Sequence, residues 1–159
     1  VLLYIQRHGI AEDSSPLGDS ERELTDEGRL KLQLLLSAAK RAGVKPDLIL
    51  CSPYVRAEQT AELAAQAFGV SEEPEAEGFL LPFSDVLATW EEIRALREFS
   101  SVLLVGHNPH LSELVSALLN SPGAVAMKKG AMACLEINPA SPRPSGSLVW
   151  LLTAKLAGG

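Results

Sequence analysis

Arg7 and His8 follow one another directly, Arg56 stands in S-P-Y-V-R, and His107 follows Gly106 in G-H-N-P. Arginine makes planar, bidentate and permanently charged contacts to phosphate oxygens. Imidazole adds a titratable ring whose charge changes close to neutral pH. Two of each, brought together, would make a strong site for a phosphoryl group. Taken singly, each has an ordinary reading: an arginine on a helix is usually solvated or ion-paired, and a histidine after a strand is usually a satisfied loop residue. His110, Arg22 and Arg29 are left with that ordinary reading. The other four differ because each stands at or just beyond the end of a strand-like run, and there are three such runs. The three histidines include no close ligand pair and have no cysteine partner, so neither a metal nor another cofactor is expected.

The elements that must position these side chains follow from the pattern of apolar residues. Val1 to Ile5 is an almost continuous apolar run closed by Arg7, His8 and Gly9, which reads as a strand buried on both faces. Ile10 to Glu23, rich in Ser, Asp, Glu, Pro and Gly, reads as a surface loop. Thr25 is placed to cap a helix whose first turn carries Asp26 and Glu27, and Gly43 suits its C-terminal end. Asp47 to Cys51 is a second buried strand, so this unit predicts parallel pairing of the first two strands. Ser52-Pro53 opens the next helix, with Pro53 at its first position, and Arg56 falls within roughly the first turn. That helix ends at Gly69.

A short edge strand is predicted near Glu75 to Glu77, then a helix capped by Ser84 or Asp85 and running to about Phe99. Ser101 to Gly106 is a third buried strand, followed by a helix to about Leu119. Ala131 to Ile137 and Ser147 to Thr153 read as an antiparallel pair at one edge. In open parallel sheets, ligands bind outside the carboxyl ends of the strands. Parallel neighbours would therefore deliver Arg7, His8, Arg56 and His107 to one crevice, where helix N-termini add unpaired N–H groups.

The 159 residues suffice for one domain, 1–159, with a full core. A net charge of −6 argues against a nucleic-acid surface, and no apolar run approaches a membrane span. Cys51 and Cys134 read as small buried hydrophobes in a reducing compartment. With no signal-peptide pattern at Val1, a cytoplasmic location is expected.

The segments R-H-G, S-P-Y-V-R-A-E-Q-T-A and G-H-N-P, in that order, resemble the histidine phosphatase superfamily. L-T-D-E-G before the first long helix adds to the likeness, which runs from Val1 to about Ile137. With no large insertion between the motifs, the chain looks most like the small phosphohistidine phosphatase branch of SixA type. The resemblance implies a phosphoglycerate mutase-like fold, a three-layer α/β/α sandwich around a mostly parallel mixed sheet. It implies that His8 is the nucleophile and becomes a phosphohistidine that water hydrolyses. A backbone carbonyl in the loop after Gly9 would hold the other ring N–H. Arg7, Arg56 and His107 would bind the oxygens of the transferring group, with His107 cationic beside the dianion.

One position departs from the pattern. Where small phosphohistidine phosphatases often carry Glu just before L-x-P, this chain reads Glu77-Gly78-Phe79-Leu80-Leu81-Pro82. Glu77, two residues away, is the candidate general acid, against the reading of a solvated loop carboxylate. Lack of a placed acid hurts phosphate monoesters most and phosphoramidates least. The expectation is therefore a phosphatase acting on a phosphohistidine-bearing protein, or on a small phosphorylated substrate, and releasing inorganic phosphate. Partners among nucleic acids or membranes are not expected. The alternatives are a phosphomonoesterase of broad small-molecule specificity and a non-catalytic phosphoprotein-binding module. A mutase is disfavoured, because it needs a site closed to water.

Overall fold

Alternate side chains of the first strand sort to opposite faces of one sheet. In β1 (Leu2–Arg7), Tyr4 joins one apolar cluster, while Leu3 and Ile5 join the other. A strand packed on both faces has to be apolar at nearly every position, which is what the opening run supplies. A computed structural model describes residues 1–158, with six strands in one mixed sheet and helices on both faces.

The remaining strands are β2 (Leu48–Cys51), β3 (Glu75–Ala76), β4 (Ser101–Gly106), β5 (Met132–Ile137) and β6 (Gly146–Leu152), in the order β3-β2-β4-β1-β5-β6. Pairing is parallel from β3 to β1 and antiparallel for β5 and β6. The helices α1 (Asp26–Arg41) and α2 (Val55–Phe68) cover one face through Leu32, Leu35, Leu36, Ala61, Ala64 and Phe68. The other face is covered by α3 (Val86–Arg94) and α4 (His110–Leu118), through Trp90, Ile93, Leu111, Leu114, Val115 and Leu118. This is the expected three-layer sandwich. No helix among the described residues is long and apolar enough to cross a membrane. Cys51 and Cys134 are buried and free.

Three local expectations are corrected. First, β1 and β2 run parallel but do not pair, because β4 lies between them. All six residues of β4 are buried, so the centre of the sheet is where that sequence is best satisfied. Second, α2 begins at Val55 rather than at Pro53. The Ser52 hydroxyl accepts the Tyr54 N–H at 3.2 Å, and this local turn holds the chain out of the helix until Tyr54 caps it. Third, α3 stops at Arg94, short of Phe99. Shorter-range bonds then take over (Leu96 N–H to Ile93 O, Phe99 N–H to Leu96 O) and turn the chain towards β4.

The other boundaries follow their chemistry. Thr25 caps α1 by accepting the Gly28 N–H at 3.0 Å, and Asp85 caps α3 by accepting that of Ala88 at 2.9 Å. Gly69 closes α2 in the left-handed region, at φ 68°. The polar loop after Gly9 is pinned at its base, where Ala11 and Leu24 form an antiparallel bridge.

Candidate active site

Sheet register brings the two histidines level. β1 and β4 pair Arg7 with Gly106, so the next residues, His8 and His107, leave their strands side by side. The His8 N–H donates to Gly106 O at 2.9 Å, and the ring centroids lie 5.1 Å apart. On the far side of β4, Cys51 pairs with Val105, and the turn after Ser52 carries Arg56 back over the same strand ends. Arg7, His8, Arg56 and His107 all line one surface crevice of about 320 Å³.

His8 is 6% exposed. Its Nδ1 lies 2.7 Å from Gly9 O. A carbonyl can only accept, so Nδ1 carries the proton and Nε2 keeps its lone pair. The carbonyl is that of Gly9 itself rather than one in the loop beyond it. Burial pushes the His8 pKa down to about 4; the Gly9 carbonyl works against this, and the Arg56 and Arg7 charges add to it. At neutral pH the ring is an uncharged base with one free nitrogen.

The Arg56 side chain is extensively bonded. Its Nε points at His8 Nε2 from 3.4 Å, Nη1 donates to Asp19 O at 2.8 Å, and Nη2 donates to Asp19 Oδ2 at 3.3 Å. Arg7 Nη1 donates to Met127 O at 3.0 Å, while its buried Nε has no partner among the described residues. Buried donors are seldom left unpaired, and an oxyanion is the partner that suits this one.

His107 Nε2 sits 2.7 Å from the Ser52 hydroxyl, and its buried Nδ1 has no partner among the described residues. The Tyr54 ring meets His107 edge-on at 5.0 Å and also lies 5.0 Å from the Arg56 guanidinium carbon. Burial, then His8 and Arg56, hold the His107 pKa down to about 3. Among the protein's own groups alone, His107 is therefore neutral.

The structure adds residues that the sequence left in solvent. Arg22 lines the crevice, with Nε donating to Asp19 Oδ1 at 2.8 Å and Nη1 to Glu12 O at 2.8 Å. Burial acts to raise the Asp19 carboxyl, but the Arg56 and Arg22 guanidiniums outweigh it and hold it below the usual carboxylate range. The only sequence signal was Asp19 three residues before Arg22, in a loop feeding a helix, and such pairs are common on surfaces.

Glu77 is not brought to the crevice. Its N–H donates to Cys51 O at 2.8 Å, and it precedes the 3-10 turn Gly78–Leu80. The extended bonding to β2 holds its backbone along the sheet edge rather than over the histidines. The carboxylates that do line the crevice are Asp13 and Asp19. His110 is fully buried, with Nε2 2.8 Å from the Thr89 hydroxyl, and stays a structural residue.

A family model described as the histidine phosphatase superfamily (branch 1) matches residues 3–79. A phosphohistidine phosphatase SixA homolog of Haemophilus influenzae is 30% identical over 142 residues, covering 84% of this chain and 86% of that protein. The chain belongs to the histidine phosphatase superfamily. Within the superfamily, phosphohistidine phosphatase SixA of Escherichia coli is 28% identical over 153 residues, covering 95% of this chain and 92% of that protein. A solved structure of the protein histidine phosphatase SixA, complexed with tungstate, superposes with a TM-score of 0.88 at 28% identity, covering 98% of each chain. This chain is a phosphatase of the SixA-like branch. An alpha-ribazole phosphatase from Shigella flexneri shares the fold, with a TM-score of 0.77 at 18% identity.

Proposed function

We propose that this phosphatase removes the phosphoryl group from phosphohistidine on a protein, by way of a phosphorylated His8. The observation that carries the reading is the Nδ1 contact to Gly9 O, which fixes the tautomer with a lone pair on Nε2. In the first step Nε2 bonds to phosphorus as the substrate P–N bond breaks, and the departing imidazole takes a proton from solvent. In the second, water attacks phosphorus, the His8–phosphorus bond breaks, and inorganic phosphate leaves. Arg7, Arg56 and His107 hold the three equatorial oxygens, with the unpaired Arg7 Nε and His107 Nδ1 as available donors.

The substrate class is supported by three facts. Two relatives that match most of the chain are phosphohistidine phosphatases by name. Phe79 stands where an acid was expected, and Glu77 stays outside the crevice. An imidazole leaving group needs little help from an acid, whereas an alkoxide needs much. The two free, buried cysteines fit the reducing interior of a cytoplasmic protein. Asp13 at the crevice favours a second reading, hydrolysis of small phosphate monoesters, for which it would be the proton donor.

Labelling with a radioactive phosphodonor tests the nucleophile. Acid-labile, base-stable label should appear on the protein and vanish in His8→Ala. Wild-type turnover by His8→Ala would overturn the assignment. A panel of phosphohistidine peptide, p-nitrophenyl phosphate and sugar phosphates tests the substrate; preference for the esters would favour the second reading.

A further inference from the structure

Asp19 gives both its backbone oxygen and its carboxylate to one guanidinium, that of Arg56. Two points of attachment fix the plane of that group, and the remaining edge, Nε, is thereby aimed at His8 Nε2. The carboxylate cannot swing away freely, because Arg22 Nε holds Oδ1 at 2.8 Å while Arg22 Nη1 is tied to Glu12 O. Asp19 is 63% exposed by its side chain and belongs to no apolar cluster, so it contributes nothing to packing.

Its charge acts in the opposite direction to the rest of the crevice. Four cations line it, Arg7, Arg22, Arg56 and Lys129, against two carboxylates, Asp13 and Asp19, so the crevice carries a net positive charge that loss of Asp19 would increase by one. A phosphatase binds a phosphoryl group at the start of its cycle and must release free phosphate at the end. Interactions that hold substrate, transition state and product alike do not raise turnover. A carboxylate fixed beside the oxyanion site weakens all charge-driven binding, while its hydrogen bonds keep Arg56 aligned for the transition state.

We propose that Asp19 is a positioning residue for Arg56 and, at the same time, a counter-charge that keeps the crevice from retaining inorganic phosphate. The proposal rests on the crevice being the phosphoryl site.

Two substitutions separate orientation from charge. Asp19→Asn removes the charge and keeps the backbone oxygen for Arg56 Nη1 and one acceptor oxygen for Nη2, at the cost of the bond from Arg22 Nε, which the amide NH2 cannot accept. Inorganic phosphate, titrated by calorimetry, should bind Asp19→Asn about fivefold more tightly than wild type, as expected for one charge removed near a partly screened dianion. Asp19→Ala removes the acceptor as well, and its kcat should fall about tenfold below that of Asp19→Asn, the scale of one lost hydrogen bond to a charged group. A residue that merely supported the loop would weaken phosphate binding when changed, so the sign of the first effect is diagnostic.

Unchanged or weaker phosphate binding by Asp19→Asn overturns the counter-charge, and equal kcat in the two variants overturns the positioning role. If wild type itself binds neither phosphate nor tungstate, the phosphoryl-site reading falls and the proposal falls with it. If wild type binds both and only the Asp19→Asn effect has the wrong sign, the site stands and the counter-charge alone is rejected. Melting temperatures within a few degrees of wild type would show that both variants are folded.

Discussion

Arg56 Nε lies 3.4 Å from His8 Nε2, the ring nitrogen that the Gly9 contact leaves without a proton. A permanent cation facing a lone pair does two things. It opposes protonation of the base, and it stands where a phosphoryl oxygen would arrive as the Nε2–phosphorus bond forms. The other two nitrogens of Arg56 are already committed to Asp19.

Lysine at position 56 would preserve the charge and lose the fork. A single ammonium cannot bond both Asp19 oxygens and still face His8. Arg56→Lys should lower kcat/KM by about a hundredfold, comparable to the loss of one preorganised donor at a transition state. Steady-state kinetics on a phosphohistidine peptide would check this, and a loss below threefold would show that charge alone suffices.

The pH dependence has a definite sign. Attack requires neutral His8, whose pKa in the folded protein is about 4, so kcat/KM should fall as pH drops towards that value and be level above it. Arg56→Gln removes one of the charges opposing protonation, so the acid limb should move to higher pH. Stability changes the same way: His8 and His107 have folded values, about 4 and about 3, below the usual 6.5 of the unfolded chain, and burial lowers His110 as well. Between those limits the unfolded state binds more protons, so stability is complete above pH about 6.5 and declines as pH falls. Urea titrations at pH 7 and pH 5 would measure the difference. His8→Asn, which cannot titrate, should flatten part of the slope.

What could be read from the chain was whatever is coded locally. Buried strands advertise themselves as apolar runs, Thr25 and the pair Ser84-Asp85 as caps, and the three motifs as strand-end chemistry. The insertion of β4 between β1 and β2 could not be read that way, because strand order depends on competition between whole strands for the sheet centre. Arg22 and Asp19 were hidden for a related reason: their loop looks solvent-directed in composition, and only its fold back over α2 turns an ordinary ion pair into part of the site. The neutrality of His107 depends on burial and on neighbours distant in sequence.

Asn108 predicts a second kind of effect, on binding. Its Nδ2 donates to Met127 O at 2.9 Å, the same oxygen that accepts Arg7 Nη1. Its Oδ1 accepts the Ser112 N–H and hydroxyl, and that hydroxyl in turn accepts the Met127 N–H. Both backbone polar groups of Met127, its N–H and its carbonyl, are thus held through Ser112 and Asn108. Asn108→Ala should release Arg7's anchor and raise KM about tenfold, the worth of a buried hydrogen bond. Hydrogen exchange across residues 120–130 should accelerate in parallel.

Gly28 predicts an effect on stability. A methyl group there would be driven against the carbonyl of Ile10, the oxygen that accepts the Thr25 N–H and so ties the site loop to the start of α1. Backbone cannot yield as a flexible side chain can. Gly28→Ala, although it favours helix intrinsically, should destabilise the protein by about 2 kcal/mol, seen as a lowered denaturation midpoint.

The crevice carboxylates decide between substrate classes. Glu77 is bonded through its backbone to the end of β2 and does not line the crevice, so Glu77→Gln should alter neither phosphoramidate nor ester turnover by more than about twofold. Asp19 is held ionised by two guanidiniums and has no proton to give at neutral pH. Of the two crevice carboxylates, Asp13 is the one that no guanidinium bonds among the described residues, so its side chain is the one placed to reach a leaving group. If alkyl esters such as sugar phosphates are substrates, Asp13→Asn should cut their turnover about a hundredfold, the ordinary worth of a general acid. It should spare phosphohistidine and p-nitrophenyl phosphate, because imidazole and nitrophenolate depart without that help. Side-by-side rates for p-nitrophenyl phosphate, a sugar phosphate and a phosphohistidine peptide would separate the cases. An equal loss on all three would mean that Asp13 acts on the step they share, hydrolysis of phosphorylated His8, where it would serve as the base for water.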